Sequence, residues 1–321
     1  FGGLVFMSEV GMSEVGMGEV ALAFTGWLNV HIPSDGRDAQ RNLIRPLRAD
    51  TFVAGTYLTQ DCPASSDSSA HAGKCLIERL KGLQPLTALD LKPMLTRAQL
   101  RQHAEAAPAF GEIARGFRVQ ETFDGVVLFA PVLGNPNVSV MRELHDCSRA
   151  LALIARHEKA REWQYSRVVF SRLEFRWVAP HPPLSVLDPA LVWTPSGQNI
   201  KGVNDRHAVM PRAAAEAYFG RWELLLSDRL LKVTSREAMQ HVGPEEFLLT
   251  ALEAKGFRVG RFPALAVLEC CDARLKERCF STQCHGIWST PECAAMHNQE
   301  CIQEYRAIGR GTSGCEARMH P

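Results

Sequence analysis

The sequence predicts an α/β fold, and three observations carry that prediction. Short apolar runs at residues 20–24, 49–56, 167–174 and 191–195 are bounded by turn residues or charge, as buried strands are. Between them lie stretches with apolar residues at helical spacing, the longest over 140–163, where Met141, Leu144, Cys147, Leu151, Ile154 and Ala155 recur on one side. Strand-like and helix-like segments therefore alternate, which calls for a sheet covered by helices on both faces.

Each element has a local reason. Val20-Ala21-Leu22-Ala23-Phe24 opens into Thr25-Gly26-Trp27, the pattern of a buried first strand ending in a loop. Ligands of open α/β sheets bind at such carboxyl ends, so Thr25 and Gly26 are candidates to approach a nucleotide, unless Gly26 serves only the turn. Residues 41–47 suit a short helix and 49–56 a second strand. The Ser-, Ala- and Asp-rich stretch 61–73 is a surface loop that Cys62 and Cys75 could close by pairing. From 74 to 121, helical patches are broken by Pro85, Pro93 and Pro108; residues 126–132 form a further apolar run.

The long helix feeds the central strand at 167–174, which ends in Ser171-Arg172-Leu173-Glu174 and delivers an acid to a sheet edge. His181, flanked by prolines, reads as a surface residue. Gly202 to Arg206 reads as a polar loop, and Pro211 fits the first turn of a helix over 212–222 whose Ala214, Tyr218, Phe219 and Trp222 form a core stripe. Gly243-Pro244-Glu245-Glu246 starts another helix, with its acids where a helix N-terminus favours negative charge, and Gly256 ends it. Residues 258–268 are a final strand interrupted by Pro263.

With 321 residues, 46% hydrophobic and 22% charged, the chain can bury a large core. Its 36 basic and 35 acidic side chains leave a net charge of +1, which gives no broad electrostatic reason for nucleic acid or an anionic membrane as partner. No apolar run reaches the roughly 18 residues of a membrane-spanning helix. No basic n-region with an apolar core marks a signal peptide at the start.

Residues 1–19 form a low-complexity leader built on Met-Ser-Glu-Val-Gly repeats, 20–268 the folded domain, and 269–321 a cysteine-rich tail. The tail carries Cys270, Cys271, Cys279, Cys284, Cys293, Cys301 and Cys315 at irregular spacing with no CxxC pair. Disulfide stapling is the first reading and implies the secretory pathway (Golgi or ER lumen) or the extracellular space. A zinc site using His285 or His297, or reduced thiols, are the alternatives. Neither GxGxxG nor GxxxxGK[ST] occurs, which counts against an ordinary dinucleotide-binding or P-loop enzyme.

Ser171-Arg172-Leu173-Glu174-Phe175-Arg176-Trp177, then Trp193-Thr194-Pro195-Ser196-Gly197, then Gly202-Val203-Asn204-Asp205-Arg206-His207-Ala208-Val209-Met210-Pro211-Arg212, resembles a group of glycosyltransferases with a nucleotide-diphospho-sugar transferase (GT-A-like) fold. The likeness spans about residues 140–268. It implies a mixed, mostly parallel sheet, a nucleotide-sugar donor, and a glycan, glycoprotein or small-molecule acceptor.

In such enzymes the strand-end acid, here Glu174, holds a divalent metal, Mn²⁺ or Mg²⁺, on the donor's diphosphate. The chain departs from the pattern: Glu replaces Asp, and Arg172 occupies the position of a second acid, so Arg172 and Arg176 are alternative partners for the diphosphate. The resemblance places Asn204, Asp205 and Arg206 against donor sugar and acceptor, with Asp205 the first candidate for the base that takes the acceptor's proton and Glu245 the second. His207 reads as a structural neighbour.

Each of these residues also has a plainer role: Glu174 in a strand-end salt bridge, Asn204-Asp205 in an Asx turn, Glu245 as a first-turn acid. The competing functions are a secreted, non-catalytic binding or structural protein with the same fold, and a hydrolase using Asp205 and Glu174 as paired acids.

Overall fold

The computed structural model describes residues 19–28, 36–58, 76–111, 139–197, 199, 201–239 and 241–268. The repeat leader, the loop between Cys62 and Cys75, the apolar run at 126–132 and the cysteine-rich tail lie outside the described residues.

Among the described residues there are nine strands. Seven form one sheet in the order β3-β2-β1-β4-β7-β6-β8: β1 (Val20–Trp27), β2 (Asp50–Tyr57), β3 (Ala88–Pro93), β4 (Arg167–Arg172), β6 (Val192–Pro195), β7 (His207–Pro211) and β8 (Val259–Phe262). Only β7 runs against its neighbours, so the sheet is mixed and mostly parallel, as expected. β5 (Phe175–Trp177) and β9 (Ala266–Leu268) pair antiparallel as a small second sheet.

The alternation of strand side chains sorts the core into two layers. Ala21, Ala23, Phe52, Ala54, Val168, Phe170, Ala208 and Met210 face one side of the sheet. There they meet the long helix α1 (Ser139–Arg161) through Cys147, Ala150, Leu153 and Ile154, and the helices α2 (Ala215–Phe219) and α4 (Pro244–Glu253). Leu22, Phe24, Val53, Val169 and Val209 face the other side, covered by Leu43, Ile44 and Leu47 of a helical segment over 37–47 and by Trp177 of the small sheet. With both faces covered, β1 is apolar almost throughout and β4 carries Val168, Val169 and Phe170 at its centre. Met141 and Cys147 are buried, as expected of core residues.

Four expectations are corrected. Residues 88–93 form strand β3 at the edge of the sheet; Pro93 looks like a breaker in the sequence but sits at the strand's last position, where a missing N–H is tolerated. Residues 207–211 are strand β7, and the helix expected after Pro211 is divided into a 3₁₀ turn (Arg212–Ala214), α2 and α3 (Arg221–Leu225), with Gly220 between the last two. The final strand is two, β8 and β9, in different sheets on either side of Pro263. His181 is buried at 3% exposure: its backbone N–H donates to Asn42 O, and its ring packs against Trp177, His207 and Phe262.

Among the described residues, no helix is long and apolar enough to cross a membrane.

Candidate functional site

The candidate residues meet at the carboxyl ends of β1 and β4. β4 stops at Arg172, two residues earlier than the sequence suggests, because the chain is drawn aside: Arg172 N donates to Arg206 O (3.1 Å) and Leu173 N to Thr25 O (2.9 Å). These two bonds join three segments that are far apart in sequence: Thr25-Gly26, Arg172 to Glu174, and the loop carrying Asn204, Asp205 and Arg206. Glu174 thus lies in the turn after the strand, where its Oε1 accepts from Trp27 N at 3.3 Å. Gly26 has φ 139°, and a Cβ there would lie 2.8 Å from both carboxylate oxygens of Glu174. Glycine is required at this position for Glu174 to reach across β1.

Arg172 stands between two carboxylates. Its Nε is 3.5 Å from Glu174 Oε2 and its Nη1 3.8 Å from Glu143 Oε2. Burial works against the guanidinium's charge, but Glu174, Glu143 and Asp205 together raise its pKa above the usual arginine value. Both candidate acids, Glu174 and Asp205, therefore act on the same half-buried cation. Glu143, a charge off the apolar stripe of α1, belongs to the site. Nothing in its spacing marks it; only the packing of α1 across β1 and β2 brings it there. Burial, and then Asp205, push its carboxyl up to about 8 against the pull of Arg172 and Arg221.

In the loop, Asn204 is taken up by structure. Its Oδ1 accepts from Arg206 N (3.0 Å), its Nδ2 donates to Gly197 O (3.1 Å), and its N–H donates to Asn199 Oδ1 (3.2 Å). This is the Asx turn foreseen as the plainer role, and it is made by Asn204, not by the carboxylate of Asp205. Asp205 is 4% exposed, and its backbone oxygen accepts from the Tyr218 hydroxyl at 3.1 Å. Arg206 is also buried. Glu245 lies beside the loop at the first turn of α4, and its backbone oxygen accepts from Val203 N at 3.2 Å. Gly202 passes so close that a Cβ would sit 2.1 Å from Glu245 O. Arg176 is on β5, 3.8 Å from Asp38 Oδ2.

His207 is a core residue. Its Nδ1 contacts Phe170 O, and His181 Nδ1 contacts Pro182 O; a carbonyl only accepts, so both rings carry their proton on Nδ1. Burial holds the pKa of His181 down to about 4 and that of His207 well below the usual range. For a histidine whose folded pKa is lowered, the unfolded chain binds the proton more readily. The associated stability is complete above pH 6.5 and is lost as pH falls toward 4. For His181 alone the loss is about 3 kcal/mol. The urea midpoint should drop between pH 7 and pH 4.5, and His181→Phe should reduce that drop; an unchanged pH dependence in the variant would remove this account.

Glu174 Oε2 already has a guanidinium as neighbour, and among the described residues no three His, Cys, Asp or Glu side chains are grouped to hold a metal.

No family model matches the chain, and no curated protein matches it. Among solved structures, it is similar to mouse xyloside xylosyltransferase 1 in its apo form, with TM-score 0.35 and 10% identity over 75% of this chain and 84% of that one. It is also similar to a glycosyltransferase involved in glycosylation of the major capsid of PBCV-1, with TM-score 0.32 and 8% identity over 87% and 99%. Overlaps this loose add nothing to the functional argument, which rests on the sheet and the site.

Proposed function

We propose that the chain transfers a glycosyl group from a nucleotide-diphosphate sugar to a hydroxyl of a glycan, protein or small-molecule acceptor. One observation carries the reading: two carboxylates, Glu174 and Asp205, and the guanidinium they share are gathered at the carboxyl ends of β1 and β4, where open α/β sheets take their ligands. Thr25 and Gly26 form the donor-side floor. Asp205 takes the acceptor's proton as the acceptor oxygen bonds to the anomeric carbon and the bond to the diphosphate breaks. Arg172 faces the departing phosphate charge, with Glu174 fixing its guanidinium. Arg206 and Asn204 hold the loop in place, and Glu245 stands behind it as the second candidate base. Disulfide pairing among the cysteines of the tail would accompany the secretory pathway or the extracellular space.

The second reading, a non-catalytic binding protein on the same scaffold, draws on Asn204, whose amide is spent on the turn. Thermal shift against a panel of nucleoside diphosphates separates the two. UDP or GDP should raise the melting temperature by several degrees, whereas indifference to every nucleotide would overturn glycosyl transfer.

A further inference from the structure

Three carboxylates crowd this part of the site. Glu174 and Asp205 both press on Glu143, against the pull of Arg172 and Arg221. Burial pushes the Tyr218 hydroxyl and the Cys147 thiol up, so both stay neutral. Arg221 is fully buried. It donates from Nε to Tyr218 O (2.9 Å) and from Nη1 to Pro244 O (3.4 Å), while its Nη2 has no partner. Glu143 Oε1 is likewise buried without a hydrogen-bond partner, and its other oxygen is 3.8 Å from Arg172, too far for a hydrogen bond. The side chain as a whole is 18% exposed.

We propose that Glu143 is the neutral hydrogen-bond donor of this site, holding a proton that it offers to the diphosphate of a bound nucleotide. The inference rests on the glycosyl-transfer reading and deepens it. Protonation of Glu143 removes its repulsion with Asp205 and Glu174 and turns an acceptor that would repel phosphate into a donor that binds it. The elevated pKa of the carboxyl agrees with this state at neutral pH. Glu143 and Asp205 then divide the work: Glu143 donates beside the leaving diphosphate, and Asp205 stands beside the acceptor. When the bond to the anomeric carbon breaks, the Glu143 proton stabilises the freed phosphate oxygen, and the acceptor's proton goes to Asp205. No metal ion is needed.

The test is calorimetric binding of UDP and GDP to the full chain in chelator between pH 6.5 and 9.5. Wild-type affinity should fall about tenfold per pH unit above pH 8, as the ionised carboxyl comes to oppose the phosphate. Glu143→Gln, neutral at every pH, should bind as tightly at pH 9 as at pH 7. A wild-type affinity that is flat across this range, a fall that persists in Glu143→Gln, or binding only with Mn²⁺ would each overturn the inference alone. If neither nucleotide binds at any pH, with or without Mn²⁺, the glycosyl-transfer reading fails with it.

Discussion

Asp205→Asn lowers transfer by roughly 10²- to 10⁴-fold, the usual contribution of a positioned general base. The substitution keeps shape and removes only the basic oxygen, so release of nucleoside diphosphate from a donor in the presence of acceptor reads the loss directly. Melting temperature should change by no more than a few degrees. The reason lies in the loop: Asn204 closes the turn, and the Asp205 contact to Tyr218 is made by its backbone oxygen, which Asn retains. A full loss of activity with a collapse in stability would make Asp205 a structural acid. Retained activity with retained stability would pass the role to Glu245.

The largest effect on stability is expected at Arg149. Its guanidinium ties α1 to the edge of the sheet: Nε donates to Asp90 Oδ2 (2.9 Å), Nη1 to Asp146 Oδ1 (2.9 Å), and Nη2 to Asp90 O (2.7 Å) and Gly55 O (3.3 Å). Thr56 completes the network with a bond from Oγ1 to Asp146 Oδ2 at 3.2 Å. The side chains of Arg149 and Asp146 are 7% and 4% exposed. Arg149→Ala leaves the Asp146 charge buried without its partner, which costs about 3–5 kcal/mol. Arg101→Ala, which breaks a pair with Glu105 whose side chains are 77% and 49% exposed, should cost about 0.5 kcal/mol or less. Urea denaturation of both variants checks the contrast; similar losses would show that the Arg149 network is not a buried tie.

The two expectations draw on different levels of information. Asp205 stood out in the sequence because an amide, a carboxylate, a guanidinium and an imidazole in four consecutive positions after a glycine serve few structural needs. Within that group the structure gives the amide and the imidazole plain duties, one in a turn and one in the core. His181 shows the same limit from the other direction. Proline neighbours suggested exposure, but Trp177, His207 and Phe262 enclose its ring from three other strands. No local pattern records an enclosure assembled from distant segments.

The sequence by itself determined the periodic elements: the buried strands at 20–24, 49–56 and 167–174, the last of which ends at Arg172, the long helix over α1, and the helix that begins at Pro244 after a glycine. Periodicity is written within each segment, so it can be read there. Tertiary structure alone decided that the run after Arg206 is a strand, since β7 exists by pairing between β4 and β6. It alone also brought Glu143 beside Arg172. A helix's spacing shows that a residue lies off its apolar stripe, but not which other charges the packing will set against it.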